Sequence, residues 1–151
     1  NLYGPGDNYH AENSHVLPGL IRRFYEAAER GDESVTIWGT GTPRREFLHV
    51  DDLADALVHL VDIDDAPDWI NVGTGRDLSI MELAQMVASV VGFHGTIQTD
   101  PSRPDGTPIK CTDVTQLNAT GWHARIDLSE GLRTTFQAFL EESRRGELRA
   151  V

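Results

Sequence analysis

A chain of 151 residues is long enough for one domain with a real core. Its 13 Lys and Arg against 24 Asp and Glu leave a formal net charge of −11. That is the wrong sign for neutralising nucleic-acid phosphates and argues against DNA or RNA as partners. The lone cysteine, Cys111, rules out an internal disulfide and fits a reducing compartment. No apolar run approaches the roughly 18 residues needed to span a bilayer, so a cytoplasmic protein with no membrane partner is expected.

The chain opens at Asn1-Leu2-Tyr3-Gly4-Pro5 without an initiator Met, which reads as a strand end running into a turn. The expectation is that it starts partway along a longer protein. From Ser14 to Arg30, Val16, Leu17, Leu20, Ile21, Phe24, Ala27 and Ala28 mark one face of a helix, with Ser14 as cap and Gly31 as stop. Val35–Trp38 reads as a short strand ending in the turn Gly39-Thr40-Gly41-Thr42-Pro43. Glu46–Val50 reads as a second strand. Asp51 should cap a helix that buries Leu53, Leu57, Leu60 and Val61.

An acidic loop spans Asp62–Asp68, followed by a strand over Trp69–Val72 and the turn Gly73-Thr74-Gly75. Ser79 and Glu82 have capping-box spacing, so a helix should start there and bury Leu83, Met86, Val87, Val90 and Val91 before Gly92 ends it. Thr96–Thr99 is a weak strand candidate, and the proline-rich stretch Asp100–Pro108 is a loop with a polar tip at Arg103, Asp105 and Thr107. A short helix over Val114–Thr120 and a long one over Leu128–Arg144 complete the chain, with Arg144–Glu147 as a solvated or frayed tail. Alternating helices and short strands predict a small α/β fold in a single domain.

No glycine fingerprint or P-loop is present, and the two Gly-Thr-Gly turns lack the third glycine and following helix of a pyrophosphate site. Trp38 to Phe47 carries the most chemistry: a stacking face, two close-approach glycines and the guanidinium pair Arg44-Arg45, which suits a diphosphate unless it lies solvated beside a turn. His15 sits at a helix N-terminus, where the dipole favours a neutral imidazole ready for proton transfer, or serves there as an ordinary capping-region residue. His10, Glu12 and His15 lack zinc spacing, so no metal site is expected. Asp105 reads as a turn residue with a possible ligand role, and Cys111 as a small buried hydrophobe.

Asn1–Pro5, Arg45–Asp52 and Asn71–Gly75 resemble extended short-chain dehydrogenases/reductases acting on nucleotide sugars. Asp7–His10, Asn13–Pro18, Trp38–Phe47 and Pro104–Pro108 resemble the branch that converts GDP-4-keto-6-deoxy-D-mannose as a 3,5-epimerase/4-reductase, with a shorter loop around Asp62–Asp68. The resemblance implies that this chain is the mixed C-terminal substrate-binding part, and that an NADPH-binding Rossmann domain and its Ser, Tyr-x-x-x-Lys and Cys groups lie upstream. It implies a homodimer for the whole enzyme. Residue by residue, it places Asn1 and Leu2 near the cofactor, and His15 against both NADPH and the epimerising Cys as its acid partner. Arg23, Trp38, Arg45 and Asp105 fall at substrate-contacting positions, with Arg44 a less certain neighbour. A 4-epimerase, a 4,6-dehydratase or a non-catalytic nucleotide-sugar-binding module remain open alternatives.

Overall fold

The computed structural model describes residues 1–64 and 67–149. Strand β1 (Leu2–Tyr3) is followed by helix α1 (Val16–Arg30), whose recurring Leu17, Leu20, Ile21, Phe24 and Ala27 are all buried. Its N-cap is His15 rather than Ser14. His15 adopts an extended backbone (φ −65°, ψ 164°), and its imidazole makes no capping bond. Gly31 stops the helix in the left-handed region at φ +70°, which a residue without Cβ enters at no steric cost.

Strand β2 (Ser34–Trp38) runs parallel to β6 (Thr96–Asp100) in a register that sets Trp38 beside Asp100. Helix α3 (Ile80–Val91) carries the anticipated capping box, Ser79 with Glu82, and ends at Gly92. Helix α5 (Leu128–Arg145) brings in Leu132, Phe136 and Phe139. The main core lies where α1, α3, α5 and β2 meet, around Phe24, Ile37, Leu83, Val87, Leu132 and Phe139.

The strand expected over Glu46–Val50 is instead two strands serving two sheets. Glu46, Phe47, Leu48 and His49 are all buried, which one strand packed on a single face cannot achieve because its side chains alternate. The chain changes sheet at Phe47. Strand β3 (Arg44–Glu46) lies antiparallel to β5 (Asp77–Ser79) and parallel to β7 (Ile109–Lys110). Strand β4 (Leu48–His49) pairs parallel with β1.

Helix α2 (Val50–Val61) begins at His49, whose Nδ1 accepts from the Asp51 amide, so Asp51 is not the cap. Its expected apolar face is also corrected: Leu53 and Leu60 are half-buried, Leu57 is 53% exposed and Val61 83%. The helix turns Ala56 inward toward a smaller cluster with Leu48, Leu117 of α4 (Thr115–Ala119) and Trp122. Asp52 is buried because its carboxylate accepts from the Arg125 and Ile126 amides at 3.1 and 2.9 Å. Trp69–Val72 forms no strand among the described residues, and Trp69 lies 83% exposed. Part of the acidic loop, Asp65 and Ala66, lies outside the described residues.

Two smaller readings change as well. Cys111 is exposed, not buried, because β7 lies at a sheet edge with both its residues exposed. Of the two states expected for the C-terminal tail it is solvated and not frayed: residues 144–147 are exposed, Gly146 closes α5, and the Tyr9 amide donates to the Arg149 carbonyl at 2.8 Å. No helix among the described residues is long and apolar enough to cross a membrane.

Candidate functional site

Five side chains singled out from the sequence, His15, Arg23, Trp38, Arg45 and Asp105, line one cavity of about 270 Å³. Three elements and one loop supply them. The N-terminus of α1 presents His15, the second turn of the same helix presents Arg23, the end of β2 Trp38, the middle of β3 Arg45, and the loop before β7 Asp105. Ile37 and Ile80 supply apolar wall, so the site joins a dry floor to a polar rim.

The two guanidinium groups in this cavity have no carboxylate partner within 4.0 Å among the described residues. Arg23 donates to the Thr36 carbonyl at 2.9 Å, and Arg45 to the Arg44 carbonyl at 2.7 Å. Burial holds Arg23 below the ordinary arginine pKa, a sign that its charge is only partly solvated and uncompensated. The pair offers two cations without carboxylate partners, while Glu12 and Asp105 lie elsewhere on the same lining, so an anion would be held at the guanidinium groups themselves. Arg44 differs from its neighbour. Its Nε meets Asp77 at 2.7 Å and its Nη1 approaches Glu82 at 3.5 Å, so it ties β3 to β5 and α3.

Trp38 is 52% exposed, with the Arg23 guanidinium 5.8 Å and the Arg103 guanidinium 5.1 Å from its ring centroid. Asp105 is engaged structurally as well as lining the cavity. Its Oδ1 accepts from the Thr40 amide at 2.6 Å and its Oδ2 from the Thr40 hydroxyl at 2.9 Å. The loop therefore clasps the β2–β3 turn, and Gly39 is required there: at φ +74° a Cβ would collide with the Asp105 carboxylate. His15 is exposed at the rim with its imidazole uncommitted to a cap, whereas His10 uses Nδ1 to accept from the Glu12 and Asn13 amides.

Asn1 and Leu2 do not join this cavity. The Asn1 side-chain amide donates to the Glu46 carbonyl at 2.8 Å, and its carbonyl accepts from Leu48, while Leu2 lies 48% exposed on β1.

Sequence reasoning missed Glu46. This buried carboxylate fills the Gly73-Thr74-Gly75 turn, accepting from the Thr74 and Gly75 amides on Oε1 and from Thr112 on Oε2. Burial alone would raise its pKa, but the hydrogen bonds from Thr112, Gly75 and Thr74 outweigh it and hold the group below the ordinary range. A turn of this kind could cradle a phosphate, yet here an internal carboxylate already occupies it. The available signal was a glutamate directly preceding the apolar run Phe47-Leu48 beside a glycine turn elsewhere in the chain.

The NAD dependent epimerase/dehydratase family profile matches residues 1–73. GDP-L-fucose synthase 1 of Arabidopsis thaliana is 52% identical over 141 residues, covering 93% of this chain and 44% of the relative. Over those 73 residues the chain is similar to the NAD dependent epimerase/dehydratase family. GDP-L-fucose synthase of Escherichia coli (strain K12) is 51% identical over 155 residues, covering 96% of this chain and 48% of the relative. A GDP-L-fucose synthetase from Naegleria fowleri bound to NADP superposes with a TM-score of 0.85 at 29% identity, over 97% of this chain and 46% of that one. The chain thus spans about half the length of the curated relatives it matches.

Proposed function

We propose that this chain is the substrate-binding half of an enzyme that converts GDP-4-keto-6-deoxy-D-mannose to GDP-L-fucose, by 3,5-epimerisation and NADPH-dependent 4-reduction. The observation that carries it is the convergence of His15, Arg23, Trp38, Arg45 and Asp105 on one cavity, with two arginines free of carboxylates. The likeness to synthases of that name supports the same reading.

Arg23 and Arg45 neutralise the diphosphate, and Trp38 offers its indole face to the nucleotide. The sugar then lies toward His15. A 4-keto group acidifies the protons on C3 and C5, because the carbanion left at either carbon is delocalised onto the ketone oxygen. The upstream Cys takes the proton from one face and His15 returns one to the opposite face, so each epimerisation leaves the atom count unchanged. NADPH, when bound, supplies hydride to C4, and the ketone oxygen takes up one proton.

Most of the NADPH site belongs to an upstream Rossmann domain in this proposal. The described residues fit that division: the Gly73–Gly75 amides are filled by Glu46, and the Asn1 amide is spent on a carbonyl, so neither offers a phosphate cradle. His15, open at the rim, and the exposed Leu2 remain to meet the nicotinamide end. The edge of the two-residue parallel pair β1–β4 also fits a larger parallel sheet, because parallel strands are stable when buried within one. A cytoplasmic homodimer completes the proposed enzyme.

The test is conversion by the full-length protein. GDP-4-keto-6-deoxy-D-mannose with NADPH should yield GDP-L-fucose and oxidise one NADPH per sugar, while this chain alone should bind GDP without oxidising NADPH. A full-length protein that leaves the keto sugar unchanged overturns the assignment.

A further inference from the structure

A second cavity, of about 480 Å³, adjoins the first and shares Arg23 and Trp38 as a common wall. Its other walls are the outward side chains of β2, Ser34 and Thr36, together with Arg30 of α1, Asp100 and Arg103. The first cavity, at about 270 Å³, is below the roughly 300–1,000 Å³ that drug-sized ligands occupy. A nucleotide sugar held there at its sugar and diphosphate must extend past Trp38.

The side chains beyond Trp38 have a particular chemistry. Trp38 and Asp100 are direct neighbours across β2 and β6, so the indole and the carboxylate rise from the same face of the strand pair. Asp100 Oδ1 is spent on the Ser102 amide and hydroxyl. Oδ2 accepts no hydrogen bond among the described residues, its nearest cation being Arg103 Nε at 3.9 Å. Arg103 lies on an exposed loop, with its guanidinium over the Trp38 ring. The Trp38 face, one open Asp100 carboxylate oxygen and the Arg103 guanidinium therefore sit within a single groove, which also holds Arg23 and the Arg30–Asp32 ion pair.

We propose that this second cavity is a guanine-reading subsite, with Asp100 and Arg103 as its specificity-determining residues. The idea rests on the nucleotide-sugar reading above and deepens it. Guanine carries two adjacent donors, N1–H and the 2-amino group, which suit a carboxylate, and two acceptors, O6 and N7, which suit a guanidinium. Adenine presents an acceptor at N1 and has no 2-amino group, and uracil lacks the N7 acceptor. The base stacks on Trp38, where Arg103 now lies, and the displaced guanidinium moves to the ring edge.

The experiment compares GDP, inosine diphosphate, ADP and UDP by calorimetry on the full-length protein, in wild type and in Asp100→Asn and Arg103→Met variants. Inosine diphosphate differs from GDP only by the missing 2-amino group. Wild type should prefer GDP over it by about tenfold, and Asp100→Asn should erase most of that margin. Arg103→Met should weaken GDP and inosine diphosphate alike, by about tenfold, since both carry O6 and N7. Circular dichroism confirms folding, and Arg103→Met, at an exposed loop position, keeps the test open if Asp100→Asn loosens the Ser102 turn. A wild-type protein that binds all four diphosphates equally, or an Asp100→Asn variant that keeps the full GDP margin, overturns the subsite while leaving the nucleotide-sugar reading intact. A wild type that binds none of them overturns both.

Discussion

The Asp105 carboxylate grips Thr40 with both oxygens, one on the backbone amide and one on the hydroxyl, across 65 positions of sequence. A loop with three prolines and no secondary structure is thereby held against the wall of the candidate site. Asp105→Ala should lower GDP affinity by about tenfold, equivalent to roughly 1.4 kcal/mol, while shifting overall stability little at this exposed position. Calorimetry reads the affinity, and hydrogen exchange across residues 101–108 should accelerate. Unchanged exchange would show that the clasp does not order the loop.

Adjacent arginines should behave differently. Arg45→Ala removes an uncompensated cation from the cavity and should weaken GDP binding by about ten- to a hundredfold, with a shallower salt dependence. Arg44→Ala breaks the contacts to Asp77 and Glu82 and should instead lower the melting temperature, with GDP affinity within about threefold of wild type. Parallel calorimetry and thermal melts on the two variants decide the matter. Equal affinity losses would refute the division of labour.

Replacing His15 with Asn should slow deuterium wash-in at C3 and C5 of the keto sugar by about a hundredfold or more, a larger loss than the accompanying drop in NADPH affinity. Mass spectrometry of the recovered sugar measures the exchange. The side chain makes no capping bond, so folding should be unaffected.

Glu46 predicts an acid-sensitive fold. Its pKa is lower in the folded state, so its stabilisation is complete above the ordinary glutamate value of 4.5 and is lost as pH falls through the depressed folded value. Glu46→Gln should therefore be less stable than wild type at neutral pH, by about 3 kcal/mol. The two melting temperatures should converge as the pH drops below 4.5. Thermal melts from pH 7 to pH 3 measure the gap, and a constant difference would mean that the ionised carboxylate is not what the turn requires.

Helices α1, α3 and α5 were legible because their information is local: apolar spacing near 3.6 residues, a capping box at Ser79 and glycine stops at Gly31 and Gly92. Strand β2 with its Gly-rich turn was equally plain. Long-range choices were not legible. Nothing within Glu46–Val50 says that Phe47 divides it between two sheets, because the partners, β5, β7 and β1, lie far away in sequence. The outward apolar side of α2 was misread for the same reason, since Leu57 and Val61 have helical spacing whether or not anything covers them. Of the site, His15, Arg23, Trp38, Arg45 and Asp105 were named in advance by family resemblance, and the cavity gathers them. The roles of Asp100 and Glu46 depend on strand register and turn geometry, which residue type does not reveal.

The change of sheet at Phe47 has a consequence for how this chain tolerates variation in length. Arg45 must aim into the cavity from β3 while His49, four positions later, lies in β4 and starts α2. One added or deleted residue between them would rotate one partner to the wrong face, because strand side chains alternate with period two. The interval from Arg45 to His49 is a ruler, and insertions there should be lethal to folding or binding even when every individual side chain is preserved.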